Sequence, residues 1–288
     1  MTIGAFAKLR GVVVAVADGR LSIAPGLVSL NSAEKISRIR PEYRYPVSSM
    51  GTVDRSEPYH MYDWCLMYAG TYALASEIKD AFRTAVTNLL VDRLDNGDVD
   101  FVAAWSGSHR GNDEFYIHGG ELPKIPSRII VDELRRAYQS KGDEWMANRS
   151  KIPDVEFILF GTNEETREYE AYVVYLDQAH TTFGNPIAVK VDPVSAMSVV
   201  AIGSRPEAAK IVTDSQLSAA IRNSVPPASA VPTLDSFFDD IEPSRSSEVA
   251  ERMLELAVAA AVADPGIGGE LLLAVGTSSH DIKIAQAK

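Results

Sequence analysis

The chain has 288 residues, 28 Lys and Arg against 39 Asp and Glu for a formal net charge of −11, and a hydrophobic fraction of 46%. That composition supplies a core for one large domain or two small ones. It offers none of the cationic excess that a phosphate-binding surface needs, so no nucleic-acid partner is expected.

The single cysteine, Cys65, excludes an intrachain disulfide and any metal site built on several thiolates. In the apolar run YDWCLMYAG it reads as a small buried hydrophobe. The five histidines show no ligand spacing, so neither a metal nor an organic cofactor is expected. No basic segment followed by a long apolar stretch marks a secretory signal. The most apolar helical window, LELAVAAAVA at 254–263, is too short to span a bilayer, and a cytoplasmic protein without membrane contact is expected.

In chain order, TIGAFAKL and GVVVAVAD read as two strands joined tightly at Arg10-Gly11. Short extended pieces follow, broken at Pro25-Gly26 and Asn31-Ser32, and 40–60 reads as an irregular loop rich in Tyr, Pro and Ser. WCLMYAG (64–70) is a buried strand. After it Leu74, Ile78, Ala81, Phe82, Ala85 and Leu89 recur at helical spacing, which predicts an amphipathic helix stopped at Asn96-Gly97. DFVAAWSG and EFYIHGG suggest a two-stranded insertion near 97–120, and SRIIVDELRRAYQS a second helix. VEFILFG and YEAYVVYLD form an expected hairpin around TNEETRE. AMSVVAIG is a strand running into a third helix, SRPEAAKIVTDSQLSAAIRN. Residues 224–247, with four prolines, read as a long loop or partly disordered insertion. A final helix (SEVAERMLELAVAAAVAD) and the strands GELLLAVG and DIKIAQ close the chain.

Strands and helices fall in blocks, which indicates an α+β fold rather than alternating βαβ units. Two stacked antiparallel sheets with helices on both outer faces satisfy the pattern. No linker separates two cores, so one domain over 1–288 is expected, with the insertions near 97–120 and 224–247.

Several short patterns lack the context that chemistry requires. GIGG at 266–269 lacks the other glycines of a dinucleotide fingerprint, and DRLDNGDVD misses the EF-hand register. One constellation remains. Removal of Met1 would leave Thr2 with both a hydroxyl and its own α-amine, a base with an ordinary pKa near 8. Such a nucleophile needs a nearby cation, a carboxylate to hold that cation, and a backbone N–H for the oxyanion. Asp18 ends an apolar strand. Lys35 sits in AEKISRI among apolar residues, where an unpaired lysine would be costly. Gly70 closes a strand just before a helix, where backbone N–H groups are free.

At these positions the chain resembles proteasome β-type subunits and HslV-type peptidases, which are N-terminal-nucleophile hydrolases. The resemblance rests on TIGAFAKLRGVVVAVADGR, EKISRI, MYAGTYALA, VVAIGS and ADPGIGGELLLAV, in that order. It departs at Ile267, where the family has serine, and at Arg205, where glycine is usual. It implies a four-layer αββα sandwich and a threonine-type peptidase acting on peptides or unfolded protein. The nucleophile would be Thr2, with Lys35 and Asp18 as the charged pair, Gly70 as oxyanion donor, and Ser204 and Asp264 orienting the amine. It also implies a ring-like or helical homo-oligomer and admits an ATP-dependent unfoldase as partner. Tyr68 and Tyr72 are expected to flank the substrate side-chain pocket. The alternatives are a non-catalytic structural or assembly subunit of the same fold, and an N-terminal-nucleophile amidase for a small-molecule amide.

Overall fold

The computed structural model describes residues 2–24, 27–30, 32–49, 52–55, 57–93, 99–102, 123–149, 152, 154–181, 185–223, 245–264, 266–276 and 281–287. The first ten strands are β1 (Ile3–Lys8), β2 (Val13–Asp18), β3 (Leu21–Ala24), β4 (Leu27–Leu30), β5 (Ile36–Ile39), β6 (Glu42–Arg44), β7 (Pro46–Ser49), β8 (Thr52–Arg55), β9 (Tyr59–His60) and β10 (Trp64–Gly70). Helix α1 (Tyr72–Val86), strands β11 (Leu89–Arg93) and β12 (Val99–Val102) and helix α2 (Ser127–Arg149) follow. Next come β13 (Val155–Thr162), β14 (Tyr169–Leu176), β15 (Val189–Pro193) and β16 (Ser198–Gly203). The chain continues through α3 (Arg205–Val212), α4 (Ser215–Asn223), α5 (Arg245–Ala263), β17 (Leu271–Gly276) and β18 (Ile282–Ala287).

Two five-stranded antiparallel sheets dominate, one in the order β16-β1-β2-β17-β18 and the other β15-β14-β13-β10-β5. Alternation along each strand divides the apolar residues between two faces. In β1 and β2, Phe6, Val13, Ala15 and Ala17 meet Met67, Ala69, Ile158 and Phe160 of the opposing sheet. Ile3, Ala5, Val14 and Val16 turn the other way, onto Leu217, Ile221, Val249, Met253 and Ala257 of α4 and α5. Leu66, Tyr68, Phe157 and Leu159 leave the opposite side of the second sheet and pack on α1 and α2. The result is helices, sheet, sheet, helices, the expected α+β sandwich. β2 reads as an unbroken apolar run because a central strand between two layers is buried on both faces.

Four local expectations change. The 40–60 stretch is not irregular: it holds β6 to β9, and β6 and β9 join β11 and β12 in a small sheet. The first helix ends at Val86 rather than at Asn96-Gly97. Leu89 and Leu90 pair in parallel with Tyr43 and Arg44 instead of continuing it, a long-range pairing that local periodicity does not reveal. The expected third helix is two. Asp214 breaks it by accepting the Leu217 N–H at its carboxylate and the Ser218 N–H at its carbonyl, while Arg252 holds the same carboxylate. β15 was not foreseen. The insertion around 97–120 lies outside the described residues except for Val99–Val102, and 224–247 does so except at the start of α5. Among the described residues no helix is long and apolar enough to cross a membrane.

The sheet-to-sheet contact centres on Phe6 and Phe160, whose ring centroids lie 4.9 Å apart with neither side chain exposed. Phe160→Ala should lower unfolding free energy by about 3–5 kcal/mol, read as a shifted urea midpoint at unchanged m-value.

Candidate active site

Lys35 directly precedes β5, and its carbonyl accepts the Tyr68 N–H of β10, so sheet pairing fixes its main chain. Its side chain runs inward and is 0% exposed. The ammonium meets three acceptors from three segments: Thr2 Oγ1 at 2.8 Å, Asp18 Oδ1 at 3.0 Å and the Arg20 carbonyl at 2.5 Å. Three acceptors match the three donors of a charged lysine. Asp18, also fully buried, is satisfied from other directions by the Ile3 N–H (2.9 Å) and the Gly268 N–H (3.1 Å). Burial raises the Asp18 carboxyl and lowers the Lys35 amine, and the attraction between the two opposes both shifts.

Thr2 is 7% exposed and stands just ahead of β1. Its carbonyl accepts the Ser204 N–H at 2.9 Å, which extends the β1–β16 ladder by one pair. In that register the Thr2 nitrogen turns toward Ser204. Gly203, with φ of +101°, makes the close approach possible: an added Cβ would lie 2.0 Å from the Thr2 carbonyl oxygen. Ser204 therefore meets Thr2 through its main chain, and its Oγ stands 3.5 Å from Asp264 Oδ2. Asp264 in turn receives the Gly266 N–H and shapes the loop after α5.

Gly70 has φ of +104°, and an added Cβ would strike the Asp154 carbonyl at 2.1 Å. The Thr71 N–H is bonded to Asp154, so the alternating register turns the Gly70 N–H away from β13. Thr2, Ala69, Gly70, Gly203, Ser204 and Arg205 share a cleft of about 590 Å³. Asp154, Glu156 and Asp177 add carboxylates to its wall. Lys190 and His180 both bond to Asp177 and hold its carboxyl below the ordinary range.

The structure thus gathers Thr2, Asp18, Lys35, Gly70, Ser204 and Asp264 at one end of the sandwich. The two tyrosines require correction. Tyr68 is 1% exposed and faces α1 and α2, on the opposite side of β10 from Ala69. Tyr72 is 48% exposed at the start of α1. Neither is among the residues lining the cleft. Ile267, where the resemblance expects serine, is fully buried against α5. Two contributors escaped sequence reasoning. Arg20 donates to the Ile267 carbonyl at 3.0 Å, so Asp18 and Arg20 together grip the loop before β17. Glu156 reaches across to the other sheet and accepts the Gly203 N–H at 2.8 Å. A charged residue inside the apolar run VEFILFG was the available signal for the second.

The chain is thus a two-sheet α+β sandwich with a buried Thr-Lys-Asp cluster at the head of its first strand. Solved structures similar to it include two of Anbu from Hyphomicrobium sp. strain MC1. A mutant Anbu superposes with a TM-score of 0.51 at 12% identity, covering 99% of this chain and 87% of that one. A second Anbu structure gives 0.48 at 13% identity with the same coverage. No protein-family profile and no curated protein matches the chain. The resemblance to proteasome β-type and HslV-type peptidases in particular is therefore corrected: the likeness that stands is one of fold, to Anbu.

Lys35→Met leaves the buried Asp18 carboxylate without its cation and should cost about 3–5 kcal/mol in chemical denaturation. Gly203→Ala should cost about 2 kcal/mol or more, because its Cβ cannot coexist with the Thr2 carbonyl, whereas Ser204→Ala should stay within about 1 kcal/mol.

Proposed function

We propose that the protein is a threonine-type amide hydrolase of the N-terminal-nucleophile class, acting on peptides or unfolded protein after removal of Met1. The observation that carries this reading is the 2.8 Å contact of a fully buried Lys35 ammonium with Thr2 Oγ1, with Asp18 3.0 Å from the same nitrogen. A hydroxyl accepting a bond from a charged, buried donor is polarised toward alkoxide.

The chemistry runs in two halves. Thr2 Oγ adds to the substrate carbonyl while its proton passes to the Thr2 α-amine through a water. The Gly70 N–H receives the developing oxyanion. Collapse breaks the C–N bond, the leaving amine takes the proton, and an ester on Thr2 remains. Water, activated by the same α-amine, then releases the acid and restores the hydroxyl. Lys35, charged, lowers the proton affinity of the amine, and Asp18 holds Lys35 in place. Ser204 and Asp264 orient the amine from the β16 side. The α-amine is the proton carrier of both halves, working through water.

A second reading, a non-catalytic subunit of this fold, draws on Ile267, a buried aliphatic chain where the resemblance expects serine. The intact mass of the protein from its native host separates the two. Loss of Met1 is required for hydrolysis, and full retention overturns the enzyme reading. Labelling of Thr2 by an epoxyketone, absent in Thr2→Ala, is the direct check.

The pH profile of labelling should be bell-shaped. The rising limb follows deprotonation of the α-amine, a group whose ordinary pKa is near 8. The falling limb follows loss of the Lys35 proton, below the ordinary lysine value of 10.5 because burial lowers it. Lys35→Arg keeps the charge at all accessible pH, so any residual rate in that variant should lack the falling limb.

A further inference from the structure

The outer edge of β16 runs away from the cleft, and among the described residues no strand pairs with it there. β16 is the outermost strand of its sheet, paired to β1 on one side. The Ser204–Thr2 bond sets the alternation: Ile202 and Val200 face β1, whereas Gly203, Ala201 and Val199 turn their N–H and C=O groups outward. Glu156 takes the outward N–H of Gly203. Among the described residues no strand pairs with Ala201 or Val199 on that side. Edge strands are ordinarily blunted by lysine, proline or an inward charge, and β16, with the sequence SVVAIG, carries none of these. All its residues except Ile202 are half-buried. A groove of about 350 Å³ lies alongside, formed by Ala201 and Gly203 of β16 and by Ala208, Ala209 and Val212 of α3. Glu156, Gly203 and Arg205 line both this groove and the cleft at Thr2, so the two are continuous.

We propose that this edge is the track for the part of a peptide substrate that follows the scissile bond. The segment adds to β16 as a strand, exchanges main-chain hydrogen bonds with Ala201, and places a small apolar side chain over Ala208, Ala209 and Val212. β-Augmentation of this kind takes affinity from the peptide backbone and selectivity from alternate side-chain pockets. The two small residues of α3 leave room for a chain to approach the strand. The occupant is an extended peptide, because a main-chain edge recognises main chain and because the groove opens from the reaction centre. This assignment rests on Thr2 as nucleophile and specifies where the leaving half of the substrate lies.

Ala201→Pro removes one outward N–H and leaves the ladder to β1 intact, and Val212→Glu fills the apolar hollow from the surface. Both variants should label at Thr2 with an epoxyketone, and turn over an amide with no residues after the scissile bond, at unaltered rates. Each should lose about tenfold or more in kcat/KM on a quenched peptide carrying several residues there. Equal losses on both substrates, or none on the longer one, overturn the track. Backbone hydrogen exchange gives an answer independent of turnover. With millimolar Ala-Ala-Val-Ala-amide, a mimic of the released segment, the Val199 and Ala201 amides of Thr2→Ala protein should exchange about tenfold slower. Unchanged exchange overturns the proposal, and so does protection that depends on protein concentration without peptide, which would mean pairing of β16 between copies. Failure of Thr2 to label in the unaltered protein would count against the hydrolase reading, while the exchange result would still decide the peptide track.

Discussion

The charge on Lys35 is the constraint around which this end of the molecule is organised. A lysine with no exposed surface would be strongly unfavourable unless every donor found an acceptor. Its acceptors come from the residue ahead of β1, the end of β2, and the segment just after β2. None of the three is close to Lys35 in sequence, so the cluster exists only once the two sheets have stacked. Asp18 carries the constraint further. Its remaining lone pairs hold Ile3 and Gly268, tying β1 and the loop before β17 to the same charge.

Two glycines translate that electrostatic anchor into shape. Gly203 lets β16 close on the Thr2 carbonyl, and Gly70 lets β10 close on the Asp154 carbonyl. Both hold a backbone conformation that a side chain would strain. Glu156 then links the two sheets at the level of these glycines, lying opposite Ala69 in register and bonding to Gly203 across the gap. The cleft is thus set by backbone approach and one cross-sheet carboxylate more than by bulky walls, which leaves it open and acidic along Asp154 and Glu156.

The loop from Asp264 to Gly269 shows how a departure from an expected pattern can be absorbed. Ile267 offers no hydroxyl, yet its carbonyl receives Arg20 and its side chain fills the core beneath α5. Main-chain groups hold the loop against the site, and the side chain at this position serves packing. The side chain at this position therefore adds no hydrogen bond, while the loop is secured by Asp18 and Arg20.

Strand alternation and apolar runs in the sequence determine most of the sandwich, because a strand between two layers must be apolar on both faces and an edge strand need not be. The sequence also isolates Thr2, Asp18, Lys35 and Gly70, since a lysine and an aspartate in apolar strands require partners, and a glycine between strand and helix marks free N–H groups. Tertiary structure alone decided the rest. Which face of β10 looks into the cleft depends on how the sheets stack, and it put Ala69 rather than Tyr68 there. Leu89 leaves the expected helix to pair with Tyr43, 46 residues earlier, and Asp214 divides a helix while Arg252, from another element, holds its carboxylate. Glu156 reads as one charge in a strand until the other sheet supplies Gly203. Periodicity records what a residue needs from its neighbours in the chain, whereas pairing across the gap between two sheets is set by register and stacking, which no local pattern encodes.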